Sequence, residues 1–319
     1  MDTKRLEQIR KIGFSSIPII CGPTASGKSS FAISLASATQ GAICACDSMQ
    51  IYRNLSVGTA KPTEEEQKKI PHYLIDIKEV TDSFSVAEYI EYAYPVIDSL
   101  LDEGILPIFC GGTGQYVSSL LHGITYSHFT LDPMIEKEIQ KQYEQSGIMS
   151  IYDELKALDE KAAEKIHPNN VKRVLHAVSL IKSTGKTMAE IKQESRTDGP
   201  RYPFTCFCLD WPRDVLYTRI NQRVDEMMKE GILEEAKWLY SMNLPSDNTA
   251  MQAIGYKELF PCLNGLSTEE ECVDLLKQHT RNYAKRQLTW FRGMEEVHWL
   301  DAKEENQQKV LDFIMKKNI

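Results

Sequence analysis

Residues 17–29 read IPIICGPTASGKS, an apolar run that meets a glycine-rich loop. The apolar run 17–21 predicts a short buried strand. It leads directly into Gly22, Pro23, Thr24, Ala25, Ser26, Gly27, Lys28 and Ser29, the spacing GxxxxGKS. Residues 31–39 then carry a helical pattern. Strand, glycine loop and helix in that order form a phosphate-binding P-loop. Backbone N–H groups and the helix N-terminus make an anion nest, Lys28 adds a point charge, and the Ser29 hydroxyl suits Mg²⁺. The loop does not say whose phosphate it holds.

Residues 42–46 predict a second strand that ends in Asp47, Ser48, Met49 and Gln50. Residues 105–110 predict a third, ending in the turn Gly111-Gly112-Thr113-Gly114-Gln115-Tyr116. Helical stretches at 31–39 and 86–103 alternate with these strands, which implies a parallel sheet covered by helices on both faces. Ligands of such sheets bind beyond the carboxyl ends of the strands, so the P-loop, Asp47 and Thr113 should share one crevice. Asp47 alone suits three roles: a general base, a metal ligand or a helix cap. Thr113 suits either a site or an ordinary turn.

The character changes over residues 126–197, which are rich in Lys, Glu and Gln with few β-branched runs. Apolar spacing predicts helices at 134–143, 149–158, 159–165 and 170–181. A strand returns at 204–209, and a long helix follows from Arg213 to about Tyr240. The expected architecture is therefore an α/β P-loop NTPase-like sheet interrupted by an all-helical insertion. The first part of the core spans 1–123, the insertion 124–201 and the completed core 202–319. An insertion on the rim of a catalytic crevice suits a lid or a recognition device.

Composition bounds the classes. The 319 residues are 42% hydrophobic and 26% charged, as in ordinary globular proteins. A net charge of −8 means that any nucleic-acid surface must be a local patch. The eight cysteines include no CxxC pair, and the CxC pairs Cys44/Cys46 and Cys206/Cys208 read as alternate strand positions rather than metal ligands. The first 13 residues are too polar for a signal peptide, and no apolar run suffices to span a bilayer. A cytoplasmic, monomeric protein without membrane contact is expected.

Three further groups carry charge or amides. His167, Pro168, Asn169 and Asn170 open a helix that continues through Val171, Lys172, Arg173 and Val174, suited either to RNA or to plain capping. Arg219 and Arg223 sit one turn apart on the long helix, suited to a diphosphate, with pairing of Arg223 to Glu226 as the alternative. Arg281, Lys285, Arg286 and Arg292 fall in a segment without acidic residues and with Trp290 and Phe291, as on an RNA-tracking helix or a solvated face.

Together these segments resemble the tRNA dimethylallyltransferase family, also called tRNA isopentenyltransferases. The resemblance rests on GPTASGKS at 22–29, DSMQIYRNLSVGTAKP at 47–62, GGTGQY at 111–116 and IHPNNVKRV at 166–174. TAMQAIGYKEL at 249–259 and RNYAKRQLTWFR at 281–292 complete it, in family order over almost the whole chain. Gln115 departs from the family's usual Leu. Eukaryotic relatives carry a C-terminal zinc finger and this chain ends at Ile319 without one, so the likeness is to the bacterial form.

The resemblance implies transfer of a dimethylallyl group from dimethylallyl diphosphate to the N6 amine of adenosine 37 in tRNA, with Mg²⁺. It implies Asp47 as base and Thr113 as the hydroxyl near the amine. Lys28, Ser29-bound Mg²⁺, Thr24 and Arg223 would hold the diphosphate. Ser48, Met49 and Gln50 would read the flipped base. Asn170 to Val174, Gln252, Gly255, Tyr256 and Lys257, with Arg281, Lys285 and Arg286, would grip the anticodon stem-loop. A P-loop small-molecule kinase explains the loop and the insertion but leaves Asp47–Gln50 and the basic helix without a role. A non-catalytic tRNA binder leaves Lys28, Ser29 and Asp47 together unexplained.

Overall fold

Strand β1 (Ile17–Cys21) is buried along its whole length, because helices cover both faces of the sheet it centres. The computed structural model describes residues 3–126, 131–246 and 248–315. The other strands are β2 (Ala42–Ala45), β3 (His72–Tyr73), β4 (Pro107–Gly111), β5 (Phe204–Asp210) and β6 (Val297–Asp301). Their order is β3-β2-β4-β1-β5-β6, and every neighbouring pair is parallel. β3 and β6 escape the sequence pattern, β3 because it has only two residues and β6 because as an edge strand it exposes three of its five.

Side-chain alternation sorts the core into two layers. Ile17, Ile19, Cys44, Phe109, Cys206 and Cys208 pack on one face beneath Tyr89, Ala93 and Ile97 of the helix Val86–Asp102. Ile20, Ile43, Ile108 and Phe207 pack on the other, beneath Ala32, Leu35 and Ala36 of the helix Lys28–Thr39. Each fully buried Ile contributes about 1.5–3 kcal/mol. Beyond the strand ends, a third cluster joins Tyr52, Val224, Ile232, Tyr256 and Leu276. The six cysteines on or just beyond the sheet strands are free and buried, in keeping with their reading as core thiols.

The chain divides into two compact units, one of residues 1–121 with 200–319 and one of 122–199. The second is all-helical, around Ile139, Ile151, Leu155, Val174 and Val178. Its helices include Pro133–Leu158, Glu160–Lys165, Val171–Thr184 and Met188–Glu194. The first of these is broken at Gly147, whose φ of 75° is left-handed, so it behaves as the two helices the spacing predicts. Asp159 sits buried at a junction, accepting from the Ala162 and Met188 amides at 3.0 and 2.9 Å and so capping two helices. Residues 127–130 of the predicted helical stretch lie outside the described residues.

The helix expected to run to Tyr240 instead ends at Lys229. Gly231 takes a left-handed φ of 97° and a new helix, Ile232–Ser241, starts after it. The basic segment 281–292 lies on the helix Glu269–Arg292, whose Thr268 and Glu271 form a capping box.

Candidate active site

The carboxyl ends of β1, β2 and β4 open onto a cavity of about 300 Å³. Its lining brings together Thr24, Ala25, Lys28 and Ser29 of the P-loop, Asp47 to Gln50, and Arg223. Met227, Ile254 and Tyr283 supply apolar wall. Residues Gln252, Lys257 and Arg286 line the same space.

The P-loop has the backbone its sequence demands. Gly22, Ala25 and Gly27 take φ values of 150°, 61° and 88°, the positive-φ backbone that such a loop requires. A Cβ on Gly22 would stand 2.9 Å from Ser26 Oγ and 3.2 Å from the Leu209 carbonyl, so the position has no room for a side chain. The loop is braced from outside. Arg219 Nε donates to the Ala25 carbonyl at 2.8 Å and its guanidinium lies 4.8 Å over the Trp211 ring. Trp211 Nε1 donates to the Ser26 carbonyl at 2.9 Å. Arg219, expected to face the diphosphate, is thus turned to the loop's backbone and does not line the cavity.

Lys28 Nζ donates to the Pro23 carbonyl at 3.3 Å, a bond an incoming phosphate can replace. Burial pulls this ammonium below its ordinary value, opposed by the Asp47 carboxylate, while the Arg223 charge pushes in the same direction as burial. Cys110 is itself pushed up to about 11 by burial, so it stays a thiol beside Lys28. Arg223 makes no ion pair with Glu226 among the described residues, and its Nε is buried without a hydrogen-bond partner. The charges of Glu226, Glu230 and Asp47 act on it, and its Nε still has a free donor beside the cavity.

Asp47 Oδ1 accepts from the Met49 amide at 2.9 Å and the Gln50 amide at 3.4 Å. One oxygen therefore caps the turn after β2, and the residue still lines the cavity, so capping does not withdraw it from the site. Thr113 is not in the lining; its Oγ1 accepts from the Ser48 amide at 2.9 Å and lies 3.4 Å from Ser48 Oγ. Gln50 Nε2 is committed to the carbonyls of Thr59 and Ala60 at 3.1 and 3.0 Å, which leaves only its oxygen to read a base.

Several residues expected at an RNA surface are internal. Tyr256 is fully buried, with its hydroxyl 3.2 Å from Glu235 Oε2 and its ring against Gly58. Gly255 is buried, and its amide donates to Glu258 Oε2 at 2.9 Å. Val174 belongs to the helical unit's core, and Phe291 to the sheet's. Arg281 donates to Asn221 Oδ1 at 2.7 Å. These positions carry apolar or loop-bracing duties that residue type alone does not reveal. Exposed positions remain at Asn170, Lys172, Arg173, Gln252, Lys285 and Arg286, with Val171 and Lys257 half-buried.

Sequence reasoning passed over Gln287 and Glu235. Gln287 is 5% exposed and bonds to Thr24 and Gly112. Glu235 accepts from the amides of Ser56, Val57 and Gly58, holding the loop that Gly58, Thr59 and Ala60 present to the cavity. The signal for Gln287 was a polar residue on the apolar stripe of an otherwise amphipathic helix.

Fold and cavity define a P-loop α/β enzyme built to hold a phosphorylated ligand next to a carboxylate. An IPP transferase family model matches residues 50–294, and the chain belongs to that family. It is 42% identical over 297 residues to the tRNA dimethylallyltransferase of Acetivibrio thermocellus, covering 93% of this chain and 95% of that protein. It is 43% identical over 285 residues to the tRNA dimethylallyltransferase of Bacillus subtilis, covering 89% and 90%. A solved tRNA isopentenylpyrophosphate transferase from Bacillus halodurans matches with a TM-score of 0.68 and 41% identity over 93% of each chain. A solved eukaryotic dimethylallyltransferase acting on tRNA matches with a TM-score of 0.80 and 27% identity, over 93% of this chain and 79% of that one.

Proposed function

We propose that this protein transfers a dimethylallyl group from dimethylallyl diphosphate to the N6 amine of adenosine 37 in tRNA. The observation that carries the reading is the meeting of Lys28, Ser29, Arg223 and Asp47 on one cavity in a chain of the IPP transferase family. The P-loop amides and the two cations hold the diphosphate. As the allylic C–O bond breaks, the diphosphate leaves with the electron pair, and Lys28 and Arg223 offset the charge that develops on it. The N6 lone pair forms the new C–N bond, and the N6 proton passes to the Asp47 carboxylate. A base is required because that amine's lone pair is delocalised into the purine ring. Thr113 acts through Ser48, which it holds beside Asp47.

The donors fit Mg²⁺. Ser29 offers a hard hydroxyl oxygen next to the place the diphosphate occupies, and Mg²⁺ takes most of its remaining ligands from phosphate and water. No cluster of three His, Cys, Asp or Glu side chains suited to a metal occurs among the described residues, so a cage built of protein ligands is not the expected form. When bound, the ion neutralises the diphosphate.

The target base leaves the anticodon-loop stack to reach the cavity, at a cost of about a few kcal/mol. Lys285 and Arg286 of the sheet unit are exposed cations that support binding of the anticodon stem-loop; the helical unit, taken by itself, exposes Asn170, Lys172 and Arg173. No helix of the described residues is long and apolar enough to cross a membrane, and a tRNA substrate supports a cytoplasmic site of action.

Nucleoside analysis tests the reading. Unmodified tRNA incubated with the protein, dimethylallyl diphosphate and Mg²⁺ should yield a prenylated adenosine on digestion, absent when position 37 is not adenosine. Unaltered adenosine in tRNA that contains A37 would overturn it.

A further inference from the structure

Gln287 is a buried carboxamide with both ends occupied, and its two partners belong to different parts of the site. Its Oε1 accepts from the Thr24 amide of the P-loop at 2.9 Å, and its Nε2 donates to the Gly112 carbonyl at 2.9 Å. A backbone N–H only donates and a carbonyl only accepts, so the partners themselves fix which way the amide points. The approach is close: a Cβ on Gly112 would stand 2.1 Å from Gln287 Nε2 and 3.4 Å from the Gly22 carbonyl. Position 112 therefore admits only glycine while that amide is in place.

What lies beyond each bond gives the amide its meaning. Thr24 belongs to the loop that holds phosphate. Gly112 precedes Thr113, whose amide donates to the Cys46 carbonyl at 3.2 Å and whose hydroxyl holds Ser48 next to Asp47. Gln287 itself rides on the helix Glu269–Arg292, directly after Lys285 and Arg286. Both are exposed, and Arg286 lines the cavity. One turn further on, Trp290 is half-exposed and its ring closes over Gly114, where a Cβ would stand 2.3 Å from Cδ1. One helix thus meets solvent on its basic side and bonds to both the phosphate loop and the glycine turn from its buried side.

We infer that Gln287 is a positioning residue that couples the acceptor RNA on this helix to the diphosphate in the P-loop. The inference rests on the prenyl-transfer reading for the identity of the two ligands. RNA seated on Lys285 and Arg286 fixes the helix, Gln287 then fixes Thr24 and Gly112, and the diphosphate meets a loop already ordered. Coupling of this kind is reciprocal: each ligand tightens the other by the same factor.

The test is the affinity of inorganic diphosphate with Mg²⁺, measured by calorimetry on the full chain with and without saturating unmodified tRNA. The wild type should bind diphosphate about tenfold more tightly with tRNA present, within the usual range of site coupling. Gln287→Met keeps length and volume but removes both bonds, and its tightening should fall to about onefold. Gln287→Glu supplies a second, independent variant. Its ionised carboxylate accepts from Thr24 but opposes the Gly112 carbonyl, so the tightening should be lost at neutral pH. Protonation restores a donor toward Gly112, and burial raises the pKa of a carboxyl, so the tightening should return as pH is lowered. A merely structural residue has no reason to regain coupling in that direction. If Gln287→Met does not fold, the Gln287→Glu pH series decides alone.

Equal diphosphate affinity with and without tRNA in the wild type would overturn the inference, even in an enzyme that prenylates tRNA. So would full tightening in Gln287→Met, or a Gln287→Glu variant whose tightening ignores pH. Coupling found in a protein that transfers no prenyl group would uphold the inference and remove the chemical reading instead.

Discussion

The Ser48 amide donates to Thr113 Oγ1 across 2.9 Å, which joins the turn after β2 to the turn after β4, next to Asp47 on the cavity it shares with the P-loop. Thr113→Val keeps the shape and removes the acceptor. It should cost about 1–3 kcal/mol in stability by leaving the Ser48 amide unpaired. It should also lower kcat more than it raises the KM for the donor, with Thr113→Ser close to wild type. Steady-state kinetics and thermal melts of the two variants check this; equal loss in both would deny the hydroxyl a positioning role.

Arg223 presents a buried Nε without a hydrogen-bond partner, and burial pulls its guanidinium below the ordinary value, with the Glu226, Glu230 and Asp47 charges opposing. Arg223→Met should weaken binding of dimethylallyl diphosphate by about 30-fold or more, the scale of one charge-assisted hydrogen bond. The same change should leave the ligand-free protein as stable as the wild type or more so. Paired measurements of donor Kd and of Tm decide it, and a variant both unstable and tight-binding would contradict it.

Lys28 carries an ammonium that burial holds below its ordinary value. Between that native value and the unfolded one, the unfolded chain binds the extra proton, so the penalty on the fold fades as pH rises through the window. Diphosphate binding runs the other way, because the cation it needs is lost. The affinity for diphosphate should therefore begin to fall at a lower pH than a free lysine would dictate, with proton uptake on binding in that range. Calorimetry in buffers of different ionisation enthalpy measures that uptake.

Lys285 and Arg286 are exposed on the long C-terminal helix, whereas Arg281 is occupied by Asn221. Reversal of the first two to Glu should weaken tRNA binding and flatten the slope of log affinity against log salt by about two, one for each phosphate left without its cation. Arg281→Gln should alter that slope little. Filter binding over a salt series separates the two; an unchanged slope in the double reversal would take the helix out of the interface.

Much of this was legible in the chain. The strand, loop and helix of residues 17–39 and the alternation of apolar strands with helices define the parallel sheet. Asp47, Lys28 and Ser29 sit at strand ends and glycine turns, where sequence position alone implies a crevice. What sequence did not show depends on long-range packing. Arg219 and Arg223 are one turn apart on one helix, yet Trp211 and the Ala25 carbonyl claim the first and leave the second free. Tyr256 stands in a motif beside surface residues but is drawn inward by Glu235 and Gly58. Gln287 is an ordinary polar residue until residues 24 and 112 fold onto it from 263 and 175 positions away.

The most direct measurement is transfer of label from radiolabelled dimethylallyl diphosphate to unmodified tRNA, by the wild type and by Asp47→Asn, beside an arm with ATP alone. Asn at position 47 keeps the oxygen that caps Met49 and removes the base. Wild-type reactions should label the tRNA, and Asp47→Asn should lose about 10²–10⁴-fold in rate with tRNA affinity retained and no ATP turnover. Unlabelled tRNA together with phosphate released from ATP would contradict prenyl transfer and assign the P-loop to a nucleotide.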